Sequence, residues 1–423
     1  VIRGFYIYVL YPLALTLLQL LRPFLNGKAR EMIEDKNQGV FVLKNNAGAA
    51  ALASARPFWI HAASGEIEYA RPVIRELKKN FPEVPLLVTF SSPSAKKILS
   101  GLSEVDAWGP LPWDQKKSCR KFLDRWQPRC CLIARTDVWP VMAEMCREKA
   151  IPSLLFSATF ASNSSRLRGL SARVTAWALN QLSEIHCVSA EDVKELQSLS
   201  LRVPVQIHGD TRFDQVFHRL EHPKAVKTEL KPSGALPVLV AGSTWEEDER
   251  ILLPAFKALQ GRCKWILAPH EVHASHLNSL CAELDNAGLR YCRYSTAKVW
   301  GEEDVLLIDQ VGILAELYLW GTLAFVGGSF RKQVHSVMEP LAAGLPVVVG
   351  PCHQNNREAL VFKEKTLAER RVVTVVQSTE EMTAALPGLL EKPAAEFSAA
   401  LHRELAQHQH SSLDVVAWCR RVL

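Results

Sequence analysis

Apolar residues recur along this chain in two alternating rhythms. Short, nearly continuous apolar runs predict strands at PFWIHA (57–62), PLLVTF (85–90), RCCLIA (129–134), PSLLFSA (152–158), EIHCVS (184–189) and PVQIHG (204–209). Between them lie stretches of helical period: across 66–81, Ile67, Ala70, Ile74 and Leu77 fall on one face, with Pro72 near enough to the start to be accommodated. A polar stretch at 26–56 precedes the first run, and a polar segment with prolines at 221–237 follows the last. The alternation then resumes with VLVAGS (238–243), KWILAP (264–269), VLLIDQ (305–310), TLAFVGG (322–328), PVVVG (346–350) and VVTVVQ (372–377). Strands without a polar side belong to parallel sheets covered on both faces. The pattern therefore predicts an α/β fold of two doubly wound Rossmann-like domains, 26–220 and 238–395, joined by a linker at 221–237. Such domains face an interdomain cleft at the carboxyl ends of their strands, where ligands bind. A closing helix over 396–423 is expected to pack back on the first domain. This is the GT-B architecture of many glycosyltransferases, and the pattern equally suits an epimerase or a phosphorylase.

The amino-terminal 25 residues break this rhythm. From Phe5 to Leu21 there is no charge, and Thr16 and Gln19 are the polar interruptions. Seventeen residues sit at the lower limit for spanning a bilayer. Tyr6, Tyr8 and Tyr11 gather at one end, while Arg22, Lys28 and Arg30 follow the other, which leaves the remainder of the chain on the cytoplasmic side. The run reads as a membrane-attached helix, either a single span or a helix lying in the membrane face. A buried core helix is the competing reading, and no small-x-small site marks a cleaved leader.

Composition narrows the classes. An apolar fraction of 48% and a charged fraction of 22% belong to a globular chain, and a net charge of +6 suits a surface near phosphates or anionic lipid. No nucleic-acid module accompanies that charge, so no nucleic acid polymer is expected as a partner. The ten cysteines are scattered, without CxxC or zinc spacing, as in a reduced cytoplasmic protein.

Three glycine- and serine-rich turns end predicted strands: Ala63-Ser64-Gly65-Glu66, Gly242-Ser243-Thr244 and Gly327-Gly328-Ser329. Glycine admits close backbone approach, and a following helix start attracts phosphate. None matches GxGxxG or GxxxxGK[ST], so neither a dinucleotide nor a P-loop site is supported. Glu66, at a strand–helix junction, fits either a base for an acceptor hydroxyl or an acid that complements a helix dipole. Glu339, after His335 and Ser336 and before Pro340, fits either a ribose-binding carboxylate or a helix-start acid. His270 and His335 are candidates for phosphate contact, with a structural role as the alternative.

With these motifs in order, the chain resembles the 3-deoxy-D-manno-octulosonic acid (Kdo) transferases of lipopolysaccharide synthesis. His61-Ala62-Ala63-Ser64-Gly65-Glu66 is similar to that family's His-Ala-Ala-Ser-Val-Gly-Glu with the valine missing. Asp137-Val138-Trp139-Pro140, Gly209-Asp210-Thr211-Arg212, Ala241-Gly242-Ser243-Thr244-Trp245, Leu306-Leu307-Ile308-Asp309, Val326-Gly327-Gly328-Ser329, Glu339-Pro340 and Gly350-Pro351 follow in sequence. The resemblance implies an inverting transferase that moves Kdo from CMP-Kdo to the lipid A precursor at the cytoplasmic face of the bacterial inner membrane. It implies an acceptor-binding N-terminal domain with Glu66 as base and Ser64, Gly65, Arg135 and Asp137 nearby. Its donor-binding set comprises Arg212, Ser243, Thr244, His270, Gly328, Ser329, Ser336 and Glu339. No Asp-x-Asp occurs, so neither metal nor cofactor is expected; glycine-loop amides and a cation would hold the departing phosphate. The chain departs from the family's Glu-x-Glu-Leu-Trp-Pro, where it has Arg135-Thr136-Asp137-Val138-Trp139-Pro140. It also has Pro269-His270-Glu271 where Pro-Arg-His is usual, and His335-Ser336 for His-Asn. A transferase with another donor or lipid acceptor, and a membrane-tethered nucleotide-sugar binder without catalysis, are the alternative readings.

Overall fold

The computed structural model describes residues 2–44, 48–161, 163–391 and 395–423. The chain divides into two compact units, Val1–Gln215 with His408–Leu423, and Val216–Gln407.

In the first unit, strands β1 (Val42–Leu43), β2 (Phe58–His61), β3 (Leu86–Phe90), β4 (Ala107–Pro110), β5 (Cys130–Ala134), β6 (Ser153–Ala158), β7 (Glu184–Cys187) and β8 (Val205–Ile207) form one sheet. Its order is β1-β4-β3-β2-β5-β6-β7-β8, parallel except for the edge strand β1. Because successive side chains point to opposite faces, β2 sends Phe58 and Ile60 to one core and Trp59 to the other. In β5, Cys130 and Leu132 divide from Cys131 and Ile133 in the same way. Both faces are covered by buried apolar side chains, which is why these strands read as unbroken apolar runs. Helix Ile67–Asn80 seals one face with Ile67, Ala70, Ile74 and Leu77, each buried.

The segment 396–423 is two helices rather than one. Ala395–Ala406 belongs to the second unit, and Ser411–Val422 returns to the first, burying Val415, Val416, Trp418 and Cys419 beside helix Ile67–Asn80. Asp214 holds its start by accepting the Ser412 N–H at 2.7 Å and the His410 N–H at 2.6 Å.

The stretch 26–56 contains two helices, Gly27–Gln38 and Ala49–Ser54, with residues 45–47 outside the described ones. Ahead of it, a helix with a π-turn at Tyr6–Leu10 runs from Ile2 to Phe24, with mean hydropathy 1.7. It is not a core helix: 6% of its apolar window is buried. One side is pinned to the unit. Tyr6 Oη donates to Asp114 at 3.0 Å, Tyr11 Oη accepts the Asp114 N–H at 2.8 Å, and Arg3 pairs with Glu144. Leu13, Leu17, Leu20 and Phe24 remain exposed.

In the second unit, β9 (Val238–Thr244), β10 (Lys264–Pro269), β11 (Tyr291–Arg293), β12 (Val305–Leu307), β13 (Leu323–Val326) and β14 (Val347–Val349) join a late strand in one parallel sheet. A two-stranded ribbon, β15 (Thr366–Leu367) with β16 (Arg370–Arg371), precedes that last strand, β17 (Val373–Val375). The order is β11-β12-β10-β9-β13-β14-β17. The segment 221–237 packs on this unit: Leu230 is buried, and Lys227 donates its N–H to Tyr294 Oη at 2.8 Å. The division between units falls within helix Thr211–Glu221.

Candidate functional site

Each sheet reverses its winding direction beside its first central strand. In the first unit β2 leads outward to β3 and β4, and the chain then returns to β5 on the other side. Doubly wound sheets bind ligands at the carboxyl ends of the strands flanking such a switch. The turns that emerge there carry Ser64, Gly65 and Glu66 after β2, and Arg135 and Asp137 after β5.

Glu66 stands at the mouth of helix Ile67–Asn80, and its Oε2 accepts the Ala63 N–H at 2.9 Å. Burial raises its pKa, and the Asp137 carboxylate adds to the rise; the Ala63 bond, His61 and Arg135 oppose it. A raised pKa makes a carboxylate a better base near neutrality. Asp137 is the opposite case. Burial alone would lift its pKa, but hydrogen bonding and charge from His61, and the Ser91 hydroxyl, hold it well below the usual carboxylate range. His61 Nε2 lies 2.9 Å from Asp137 Oδ2, and Ser91 Oγ donates to the same oxygen at 2.8 Å. Thr89 Oγ1 accepts from Trp59 Nε1 at 2.8 Å and lies 3.0 Å from His61 Nδ1. The His61 ring is thus held at both nitrogens, with Nε2 directed at Asp137. One carboxylate is thereby kept ionised and the other kept basic.

Arg135 leaves β5 with φ +63°, and its guanidinium lies 4.7 Å from the centre of the Tyr69 ring. Arg212, placed on the donor side by resemblance, belongs to this first unit; it lies 5.3 Å from the same ring and donates to Tyr69 Oη at 3.2 Å. Ser64 Oγ pairs with Ser94 Oγ at 2.6 Å, and Gly65 has open space where a Cβ would sit. His61, Ser91 and Tyr69 were not picked out as site residues from the sequence. His61 opens the quoted motif, and Tyr69 stands one helical step after Glu66, so both carried a signal.

A cavity of about 210 Å³ adjoins Asp137, lined by Tyr6, Trp139, Phe160, Arg166 and Leu179 among others. A larger depression of about 720 Å³ lies around Pro152, Ser183 and Pro204, at the amino ends of β6–β8. That is the end of a parallel sheet away from the switch, so the smaller cavity is the relevant one.

In the second unit the switch separates β9 from β13. Here the glycines serve the protein's own packing. A Cβ on Gly327 would meet Ser243 O at 2.2 Å, and one on Gly242 would meet Tyr318 Oη at 2.1 Å. Several residues expected to face a donor turn inward instead. Thr244 is buried and donates to Glu249 at 2.8 Å; Ser329 is buried and donates to Val326 O at 3.0 Å. The Gly328 and Phe330 N–H groups, at 2.6 and 3.0 Å, are taken by Asp248, which also accepts the Trp245 N–H. The loop amide of Gly328 is therefore not free for a phosphate: a buried carboxylate shapes the loop. Burial raises the pKa of Asp248 even against those three bonds.

What the loop presents is an aromatic stack. Arg331 lies 3.9 Å from the Trp245 ring, Trp245 stacks on His270 at 4.7 Å, and His270 stacks on His335 at 4.3 Å. Trp245 Nε1 donates to His335 Nε2 at 3.0 Å, which places the imidazole proton on Nδ1. Burial lowers the pKa of both histidines, that of His335 to about 4. Both rings are neutral at physiological pH, so they act as hydrogen-bonding and stacking surfaces rather than as cations. Ser243 has φ +55°, Ser336 Oγ accepts the Met338 N–H at 3.3 Å, and Glu339 is half-buried in the first turn of helix Met338–Ala342. Arg331, two residues after the Gly-Gly-Ser turn, is the cation that the sequence reading missed.

One group with metal-ligand chemistry occurs among the described residues, Glu184, His186 and His208. Its imidazoles are stacked at 3.8 Å and 27°, so their in-plane lone pairs run side by side instead of converging, and Arg421 occupies Glu184 at 3.0 Å. His208 also contacts Asp414 at 2.9 Å, so the group ties the returning helix to the sheet.

Comparison with known proteins agrees with this geometry. The family described as 3-Deoxy-D-manno-octulosonic-acid transferase (kdotransferase) matches residues 37–215. The 3-deoxy-D-manno-octulosonic acid transferase of Bordetella pertussis is 31% identical over 338 residues, covering 74% of this chain and 76% of its own. That of Aquifex aeolicus is 28% identical over 347 residues, covering 81% and 87%. Among solved structures, UDP-GlcNAc 2-epimerase from Neisseria meningitidis bound to UDP-GlcNAc superposes with a TM-score of 0.61 at 16% identity, covering 86% of this chain and 98% of its own. At that identity the likeness speaks to the fold, two Rossmann-like sheets of the GT-B type. The extent of identity with the Bordetella pertussis enzyme, together with the family match across the acid-bearing first unit, establishes that this chain belongs to the 3-deoxy-D-manno-octulosonic acid transferase family.

Proposed function

We propose that this chain is an inverting glycosyltransferase that moves Kdo from CMP-Kdo to the lipid A precursor. The observation that carries the reading is Glu66: a half-buried carboxylate at a sheet switch point, its pKa raised by burial and by a neighbouring acid that stays ionised. Glu66 takes the proton of the acceptor hydroxyl as that oxygen attacks the anomeric carbon. The bond to the CMP phosphate breaks on the opposite face, which inverts the configuration. The first unit holds the acceptor, with the apolar cavity beside Asp137 as a place for acyl substituent. The second unit holds the nucleotide on the Trp245–His270–His335 stack, with Glu339 at the ribose and Arg331 supplying the charge that offsets the departing phosphate. The exposed apolar side of helix Ile2–Phe24 attaches the chain to the cytoplasmic face of the inner membrane, where an acylated acceptor resides.

The test is CMP release and the lipid mass shift with a tetra-acylated lipid A precursor and freshly generated CMP-Kdo. Glu66→Gln keeps an oxygen for the Ala63 N–H and loses the base, so kcat should fall by about 10²–10⁴ with the fold retained. A folded wild-type chain that binds CMP without transfer would overturn the reaction and favour a nucleotide-sugar binder. Transfer from another sugar nucleotide would overturn the donor alone.

A further inference from the structure

The turn from Asp137 to Met142 is held from a side that the mechanism does not use. It follows β5, passes Trp139 and starts helix Pro140–Glu148. The first backbone N–H groups of a helix have no intrahelical partner. Asp114 takes two of them here: Oδ2 accepts the Val141 N–H at 3.1 Å, and Oδ1 accepts the Met142 N–H at 2.8 Å. Asp114 is itself buried, and the amino-terminal helix holds it at both ends. Tyr6 Oη donates to its Oδ2 at 3.0 Å, and Tyr11 Oη accepts its N–H at 2.8 Å. The Tyr11 ring meets Trp139 edge-on at 6.2 Å, and Arg3 pairs with Glu144 in the helix that the turn begins. Tyr6 and Trp139 also line the cavity beside Asp137. From helix Gly27–Gln38 the Lys36 ammonium lies 5.2 Å from the Trp113 and Trp139 ring centres. At the far end of the amino-terminal helix, Gln19 bonds Asn37 at 3.3 Å and Arg22 pairs with Glu34. A tether needs one attachment to the body it carries. This helix is fastened along its length, and its tyrosines converge on the turn that carries Asp137.

We propose that Asp114, held by Tyr6 and Tyr11, is a positioning residue for the acceptor side of the site, and that the amino-terminal helix forms one wall of that side. It rests on the assignment of the acceptor to the first unit and of Glu66 as its base. His61 and Ser91 fix one oxygen of Asp137, and Asp114 fixes the backbone on which that carboxylate stands. The Asp137 charge raises the Glu66 pKa, and its field falls with distance. His61 and Arg135 also face Glu66 and lower its pKa. They are held separately, His61 by Thr89 and Arg135 by Phe156 O and Thr159, so movement of the turn is read chiefly through Asp137. Lys36 and Cys119 are the other titratable groups that face Asp114, and both stay in place when the tyrosine hydroxyls are removed. Leu13, Leu17 and Leu20 are exposed, so a lipid surface can take that side of the helix while the tyrosines remain on Asp114. None of the three positioning groups touches the reacting atoms.

The test uses the full chain in detergent micelles, as wild type, as the double variant Tyr6→Phe with Tyr11→Phe, and as Tyr11→Phe alone. Phenylalanine keeps both rings and removes only the hydroxyls. Amide hydrogen exchange across 137–142 should speed up at least tenfold in the double variant, with exchange in helix Ile67–Asn80 unchanged. A water-soluble acceptor stripped of its acyl chains needs no delivery by a membrane. With it, kcat should fall at least fivefold while KM changes less than twofold. The acid limb of kcat/KM should move to lower pH, because Glu66 loses part of the field that raises its pKa. Tyr11→Phe alone should fall between wild type and the double variant, and it carries the comparison should the double variant fold poorly. A helix that serves only for attachment gives another pattern. Transfer on vesicles bearing the acylated acceptor would then drop, while kcat, pH profile and hydrogen exchange with the soluble acceptor stay at wild-type values. That pattern would overturn the positioning role. Absence of Kdo transfer by wild type would sink the reaction assigned above, and hydrogen exchange would still decide whether the tyrosines hold the turn through Asp114.

Discussion

Two glycines from similar-looking turns should respond in opposite ways to one added methyl group. Gly327 ends β13 against the backbone of β9, and a Cβ there would lie 2.2 Å from Ser243 O and 2.6 Å from both Ser243 C and Thr244 Cα. All three are backbone atoms of a buried central strand, so no side-chain rotation relieves the clash. Relief requires the two strand ends to part by about 1 Å. Overpacking of this kind costs about 1–3 kcal/mol, and the unyielding neighbours put Gly327→Ala near the top of that range. For a unit of this size that is a fall in melting temperature of about 5–10 °C. Gly65 has nothing within 4 Å of its missing Cβ and no left-handed backbone. Gly65→Ala should leave stability unchanged or raise it by up to about 1 kcal/mol through the unfolded state. Differential scanning calorimetry with and without CMP reads both. Gly327→Ala should weaken the CMP-induced shift as well as the baseline, because Ser243 and Thr244 open the turn that is proposed to face the nucleotide. A Gly327→Ala protein that melts with wild type, or a Gly65→Ala protein that melts well below it, would refute this reasoning.

Three further outcomes are expected. Asp137→Asn removes a charge that raises the Glu66 pKa; with ionised Glu66 as the proposed base, the acid limb of kcat/KM should move to lower pH, and a pH–rate profile that moves up or stays put contradicts the coupling. Trp245→Phe keeps the stack but leaves the half-buried His335 Nε2 without its donor, a loss of about 1–3 kcal/mol visible in denaturant titration and accompanied by weaker CMP binding. Tyr6→Phe removes a buried hydrogen bond to Asp114, so the amino-terminal helix should become more accessible to limited proteolysis while the nucleotide affinity of the second unit is unchanged.

Much of the fold was legible because parallel, two-sided burial writes itself into composition. Cys130–Ala134 and Val238–Ala241 are buried residue by residue, and each stood out as an apolar run. The strands that escaped notice have the opposite character. Ala107–Pro110 carries a glycine and a proline that signal a turn, and Tyr291–Arg293 is a half-buried edge strand of three residues with no aliphatic side chain. The extent of the last helix was misjudged because polar residues 407–410 look like any helix surface; the left-handed His410 at φ +77° breaks the chain there.

At the candidate site, sequence alone determined which polar residues follow the strands: Glu66, Asp137 and Gly328 stand where apolar runs stop, and a carboxylate or glycine after a strand's end is a local fact. Only the tertiary structure decided what those groups do. His61 and Ser91 reach Asp137 from neighbouring strands, Asp248 reaches the Gly328 amide from eighty positions away, and Arg135 meets Arg212 across one tyrosine. Hydrogen bonds, burial and fields depend on distance in space, and a doubly wound sheet brings strand ends together in an order that the chain does not follow.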